Sequence, residues 1–240
     1  MSGDPGIVFG RIPVLECLRA RRRPPRRLYV LAAAKGIDDL LAAAKGVPVE
    51  TADRAALDRL AAGGNHQGVV LRAAPPEVFD LETWLDRHPE PDAFAVLLDC
   101  VEDPQNFGAV IRSAAAFGAA GVLFGKDRAA PLSPAAVKAA AGGVEHVDLV
   151  QVTNLARAVE RMQQAGFWAA ALDAGGQKTL WEADLTGRTL VVVGNEGDGI
   201  RRLVRDRCDF VVSIPLTGAI SSLNASVSAA IALAECRRRR

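Results

Sequence analysis

The chain has 240 residues, half of them hydrophobic, and 29 Lys+Arg against 28 Asp+Glu. That composition supports one large or two modest buried cores, and no run approaches the ~18 apolar residues of a membrane span. With no basic-then-apolar leader either, the expectation is a cytoplasmic protein with no membrane partner. Cys17, Cys100, Cys208 and Cys236 are far apart, without a Cys-x-x-Cys pair, and there are three histidines. Neither a disulfide framework nor a metal site is expected.

The near-zero net charge hides an asymmetry. Residues 1–74 carry 12 Lys+Arg against 7 Asp+Glu, residues 75–91 carry 1 against 5, and residues 92–240 carry 16 against 16. Arg11 opens a basic stretch that includes Arg21, Arg22, Arg23, Arg26 and Arg27. Such a stretch meets a polyanion or forms a solvated loop, and charge alone does not choose between them.

In chain order, Arg11 to Ala20 has a helical apolar stripe, Leu28 to Ala32 reads as a strand, and Gly36 to Lys45 as an Ala/Leu helix ended by Gly46. Val47 to Glu50, a helix from the N-cap Asp53 to Ala61, a Gly63-Gly64-Asn65 turn and the strand Val69 to Arg72 complete a small α/β unit. The proline-rich, acidic segment 75–91 reads as a linker. From Phe94 strands and helices alternate: Phe94 to Leu98, a helix from Pro104, Gly121 to Phe124, a helix from Ser133, Val147 to Val150 and the helix Leu155 to Gln164. Phe167 to Leu172, Leu190 to Val193, a short helix from Gly199, Phe210 to Ile214 and a long helix from Ser222 follow. The pattern predicts an α/β fold with a mostly parallel sheet covered on both faces, in residues 92–240.

Three polar, glycine-containing clusters interrupt this pattern, each after an apolar run: Asp103 to Ser113, Gly194 to Ile200 and Ser213 to Ser228. Loops at the carboxyl ends of parallel strands are where open α/β sheets bind ligands, so one composite site is expected. In the first cluster Asp103 and Pro104 suit a helix start, and Gly108 leaves room for another backbone. Arg112 stands in a helix with a buried composition, where a guanidinium needs a carboxylate or a ligand. The second cluster lacks both phosphate-loop signatures, and its Glu196 and Asp198 would repel a polyphosphate, which favours a neutral or positive nucleoside cofactor. In the third, one serine caps the last helix, leaving Asn224 and Ser226 unexplained. Leu223, Val227, Ala230, Ile231 and Ala234 are expected to form its buried stripe, with Ala225, Ser228, Ala229 and Ala232 as small faces for close helix contact.

In this order the clusters resemble the SpoU/TrmH branch of the SPOUT methyltransferases, which methylate RNA ribose 2′-hydroxyls using S-adenosylmethionine. The resemblance spans roughly Leu97 to Glu235. At the front, Gly10-Arg-Ile-Pro-Val-Leu-Glu16 and His66-Gln67-Gly68 resemble the ends of an L30e-like RNA-binding domain found in extended members, placing that domain at residues 1–74. The resemblance implies a trefoil-knotted C-terminal domain, a homodimer, no metal, and a guanosine of 23S rRNA as target. It implies a cofactor pocket at Gly194, Glu196, Gly197, Ile214, Leu216, Ser222 and Leu223. It also implies a catalytic cluster of Asn106, Arg112, Glu196, Ser222 and Asn224, and RNA contacts from Arg11, Arg21, Arg22, Arg23 and His66. A tRNA or antibiotic-resistance rRNA methyltransferase shares these motifs. A catalytically idle RNA-binding or ribosome-assembly factor would share the fold.

Overall fold

The computed structural model describes residues 4–32, 34–195, 197–219 and 222–240. The front unit contains Ile7–Phe9 (β1), Arg11–Ala20 (α1), Pro25–Leu31 (β2), Asp38–Ala43 (α2), Val49–Ala52 (β3), Arg54–Leu60 (α3) and Val69–Ala73 (β4). Its strands lie in the order β1-β4-β2-β3, with β4 antiparallel to both neighbours and β3 parallel to β2. Helix α1 buries Val14, Cys17 and Leu18. The carboxylate of Asp53 caps α3 by accepting from the Ala56 N–H at 2.7 Å.

The rest of the chain forms Val78–Phe79 (β5), Leu81–Arg87 (α4), Phe94–Leu98 (β6), Pro104–Phe117 (α5), Gly121–Gly125 (β7), Pro134–Ala139 (α6), a 3₁₀ turn at Gly143–Glu145, Asp148–Val152 (β8) and Leu155–Gln164 (α7). Trp168–Leu172 (β9), Lys178–Thr179 (β10), Thr189–Val193 (β11), Arg202–Arg205 (α8), Phe210–Ser213 (β12) and Ala225–Arg238 (α9) follow. The strands order as β10-β12-β9-β11-β6-β7-β8-β5, parallel at every pairing. Strands β6, β7 and β11 are buried along their whole lengths, as continuous apolar runs in a doubly covered sheet must be.

Alternation along these strands sorts the two faces. Phe94, Val96, Leu98, Val122, Phe124, Val191 and Val193 share one core with α5, α6, α9 and the interior of the front unit. Ala95, Leu97, Leu123, Leu190 and Val192 share the other with Trp84, α7 and Val204. The front unit therefore docks on the same face of the large sheet as α5 and α9.

Two expectations are corrected. Segment 75–91 is no linker: β5 pairs with β8 (Val78 with Leu149, Phe79 with Val150), and Trp84 is fully buried. A side chain on Gly121 would lie 2.8 Å from the Trp84 indole nitrogen, so that glycine lets α4 close over β7. In α9 the buried positions are Ala225, Ala229, Ala232, Leu233, Glu235 and Cys236, whereas Val227 is 45 % exposed. Small residues fill most of the inward face because α9 lies tightly along α5, with Leu233 also buried and Val227 turned outward.

The two units are joined by ion pairs. Arg23, 4 % exposed, meets Glu145 at 2.8–2.9 Å and also donates to the carbonyls of Pro5 and Ala74. Arg22 binds the Asp148 carboxylate and the Val147 carbonyl, and His88 reaches the other Asp148 oxygen at 2.9 Å. Burial would raise the Asp148 pKa, but the bonds and charges of His88 and Arg22 hold it below the usual carboxylate range. His146 Nε2 faces Glu16 at 3.0 Å across the same seam.

Candidate active site

The parallel sheet places the ends of β6, β9, β11 and β12 along one edge, where the second and third clusters meet the loop after β9. A cavity of about 310 Å³ opens there. Gly194, Gly197, Ile214, Leu216, Ser222 and Leu223 all line it, with Asp173, Asp198, Ala225 and Ser228. Glu196, expected in both the cofactor and catalytic sets, lies outside the described residues, so its placement is not described.

The loop after β11 is shaped by residues that motif reading missed. Asn195 accepts from the Gly197 and Asp198 N–H groups at 2.9 and 2.7 Å, and its own N–H donates to the Gly199 carbonyl at 3.2 Å. A side chain on Gly194 would collide with the Gly199 and Ile200 backbone, so the tight return needs glycine there. Beneath it sits Asp99, 0 % exposed at the end of β6. It accepts from the Arg201 N–H at 2.8 Å and from Arg201 Nε at 2.7 Å, fixing where the loop leaves the sheet. Asp173, at the end of β9, accepts from the Gly175 N–H at 2.8 Å and faces Arg205 at 3.4 Å. The signal available in sequence for both acids was a carboxylate immediately after an apolar strand.

Asn106 and Asn224 meet across 118 residues: the Asn224 amide Nδ2 donates to Asn106 Oδ1 at 3.0 Å. The Asp103 carboxylate accepts from the Asn106 N–H at 3.3 Å, holding Asn106 in the first turn of α5. Asn224 is also the N-cap of α9, its Oδ1 accepting from the Ser226 and Val227 N–H groups at 2.9 and 3.3 Å. Capping therefore explains the carbonyl end of this side chain, contrary to expectation, while the amide end is left to align Asn106. Because Ser222, Leu223 and Ala225 line the cavity, the asparagine pair stands at its rim. Gly108, two residues beyond Asn106 along α5, packs on α6: a Cβ there would collide with the Ala136 carbonyl and Ala139 Cβ.

Arg112 corrects another expectation. It is exposed, with its backbone against Gly143, and makes no hydrogen bond or ion pair among the described residues. The expected RNA-contacting residues separate into two groups. Arg11 and Arg21 are exposed, with guanidiniums held on carbonyls of Lys35 and Gly36, and of Ala43 and Lys45. Arg22 and Arg23 are engaged by Asp148 and Glu145 in the interdomain seam, and burial removes Arg23 from any outer surface. His66 is buried too: its Nδ1 accepts from the Gly68 N–H at 3.0 Å, leaving Nε2 to face Asp58 at 3.1 Å. It is a turn-holding residue.

Among the described residues no group of three or more His, Cys, Asp or Glu is placed to hold a metal, and no helix is long and apolar enough to cross a membrane. Burial pushes the Cys17, Cys208 and Cys236 thiols up to about 12, which removes them as nucleophiles near neutrality.

A cavity of about 310 Å³ at strand ends, walled by a glycine loop and bordered by the asparagine pair, is a small-molecule site of the kind open α/β sheets form. The chain belongs to the SpoU rRNA methylase family, whose model matches residues 93–234; a second model, for RNA 2′-O ribose methyltransferase substrate binding, matches residues 7–79. An uncharacterised tRNA/rRNA methyltransferase of Mycolicibacterium vanbaalenii is 43 % identical over 100 % of this chain and 78 % of its own length. The SpoU methyltransferase AviRb from Streptomyces viridochromogenes, solved in complex with AdoMet, superposes with a TM-score of 0.79 at 28 % identity, covering 97 % of this chain and 89 % of AviRb. A structure described as being of an enzyme for 2-OH methylation of C/U34 on tRNA is 29 % identical with a TM-score of 0.57, covering 62 % of this chain and 97 % of that one.

Proposed function

We propose that the protein binds S-adenosylmethionine in this cavity and methylates a ribose 2′-hydroxyl of RNA, with a guanosine of 23S rRNA as target. What supports the reading is a cavity shared by the loops after β9, β11 and β12, with the Asn106–Asn224 bond tying the first cluster to the residues beside it. The lining fits the cofactor. Leu172, Val193, Ile214, Leu216 and Leu223 provide apolar walls for a base, and the glycine loop brings backbone close. Asp173 and Asp198 suit the positive charge of a sulfonium and an ammonium, and would disfavour a polyphosphate. When bound, the cofactor supplies an electrophilic methyl group.

The chain's own residues position the acceptor. Asn106 and Asn224 orient the ribose, and holding the hydroxyl in line replaces a bimolecular encounter with an oriented one. Arg112, projecting from α5 without a protein partner among the described residues, takes the adjacent phosphate and favours loss of the hydroxyl proton. Glu196 and Ser222 complete the cluster in this reading. A homodimer belongs to the same reading, but the small-residue face of α9 expected to form it is buried in this chain's own core at Ala225, Ala229 and Ala232, leaving Val227 as the exposed aliphatic of that helix; the trefoil threading of the C-terminal domain also belongs to this reading. Sedimentation at micromolar concentration tests the dimer.

The front unit is the selector of RNA, and the enzyme acts in the cytoplasm. The deciding experiment is mass mapping of rRNA and tRNA from a deletion strain. Loss of one ribose methyl from 23S rRNA supports the reading. Loss of a tRNA methyl instead establishes the alternative substrate, and unchanged RNA refutes the assignment.

A further inference from the structure

Lys138 lies on α6, between the front unit and α5. Its ammonium sits 5.7 Å from the centre of the Phe9 ring, a weak cation–π distance, and packs so closely on Gly10 that any side chain at that position would collide with Nζ. The Gln67 side-chain oxygen, which accepts from the Arg11 N–H at 2.9 Å, lies beside the same point. No carboxylate answers this charge: Lys138 has neither hydrogen bond nor ion pair among the described residues. Its neighbours across the seam behave differently, since Arg22, Arg23 and His146 each have an acid partner. Partial burial lowers the Lys138 pKa, the mark of an ammonium that has shed water without gaining an anion.

Position gives this charge a use. The front unit, α5, α6 and α9 share one face of the large sheet, and α6 packs on both β1 and α5, so it lies between the front unit and the helix carrying Asn106. Arg11 is exposed next to Gly10, and Arg112 is exposed where α5 packs on Gly143, a few residues beyond Lys138. We propose that Lys138 is an RNA-backbone contact in the seam between the two units, taking a phosphate between the segment held by the front unit and the ribose to be methylated. This rests on the reading of the protein as an RNA methyltransferase. It assigns a positioning role to a residue outside the three clusters.

The test uses the full chain, an in vitro transcript of the large-subunit rRNA peptidyl-transferase loop region, and the variants Lys138→Met and Lys138→Arg. Each phosphate contact contributes about 0.7–0.9 to the slope of log affinity against log salt, so Lys138→Met should lower the slope by about that amount and bind several-fold more weakly at low salt. Lys138→Arg should restore both. Binding of S-adenosylmethionine should be unchanged in each. As a readout independent of variant folding, acetylation of Lys138 in the unaltered protein should be protected by the transcript, while the exposed Lys178 on edge strand β10 should not be. A transcript that is bound and methylated without protecting Lys138, or an unchanged salt slope in Lys138→Met, overturns the proposal and leaves the methyltransferase reading standing. Failure of the unaltered protein to methylate rRNA or tRNA overturns both.

Discussion

Replacing Asp99 by Asn keeps the shape of the side chain and removes its charge. Asp99 is fully buried and accepts two short bonds from Arg201, one from the backbone and one from the guanidinium. Hydrogen bonds to charged groups contribute about 1.5–3 kcal/mol each, and losing one partner of a buried pair costs about 3–5 kcal/mol. Because the Arg201 side chain is 43 % exposed and regains water, the loss should fall lower, at about 2–3 kcal/mol. The same bonds fix the exit of the glycine loop, so part of the loss should appear in cofactor affinity. If half of it does, the dissociation constant for S-adenosylmethionine rises about tenfold. Urea unfolding and calorimetric titration of the variant measure the two quantities. A stability change under 0.5 kcal/mol with unaltered cofactor affinity would refute the view that this buried carboxylate shapes the loop.

Arg112→Ala should abolish methyl transfer while leaving cofactor binding intact and stability within about 0.5 kcal/mol, because the side chain is exposed; single-turnover assays and thermal melting decide. Asn224→Ala should cost about 1 kcal/mol through loss of the α9 cap and reduce turnover through loss of the Asn106 bond, whereas Asn224→Asp should recover stability without turnover. Arg23→Ala strands Glu145 in the interior and should destabilise by about 3–5 kcal/mol in denaturant titration, against a few tenths for the exposed Arg21→Ala. Since the Asp148 pKa is depressed on folding, its contribution is present above the unfolded carboxylate pKa and lost as pH falls through the lower folded value. The seam should therefore loosen in acid below about pH 4, and limited proteolysis between the units should accelerate there and not near neutrality.

Much of the architecture was legible because each element carried its own local signal. Apolar runs bounded by caps placed β6, α5 and α7 to within a residue, with Asp53 and Asp103 in their expected capping roles. The described members of the expected cofactor set, from the second and third clusters, line one cavity, whereas Asn224 turned out to have the structural role of an α9 cap. Where pairing between distant segments decides, the reading failed. β5 is two residues long and exists because β8 offers it an edge, and an acidic, proline-flanked segment conceals that edge. The run Arg21 to Arg23 has one composition and three fates, since the partners Asp148 and Glu145 lie more than 120 residues away. The inward face of α9 was misread because close approach to α5 places Ala225, Ala229 and Ala232 inward beside Leu233 and turns Val227 out. Asp99 escaped because its importance lies in Arg201, another distant residue.

The strand order also sets when the site comes into being. β11 lies between β9 and β6, β12 lies on the far side of β9, and the cavity draws on residues from Leu172 to Ser228. Its rim joins Asn106 to Asn224, so an early helix waits for the last one. During synthesis the front unit and β6 to β8 emerge first, with local pairings available to them, while the cavity closes only when the longest-range pairings form. Under the proposed assignment, an interrupted chain would possess the front unit and lack the cavity, so it could take up RNA it has no means to modify.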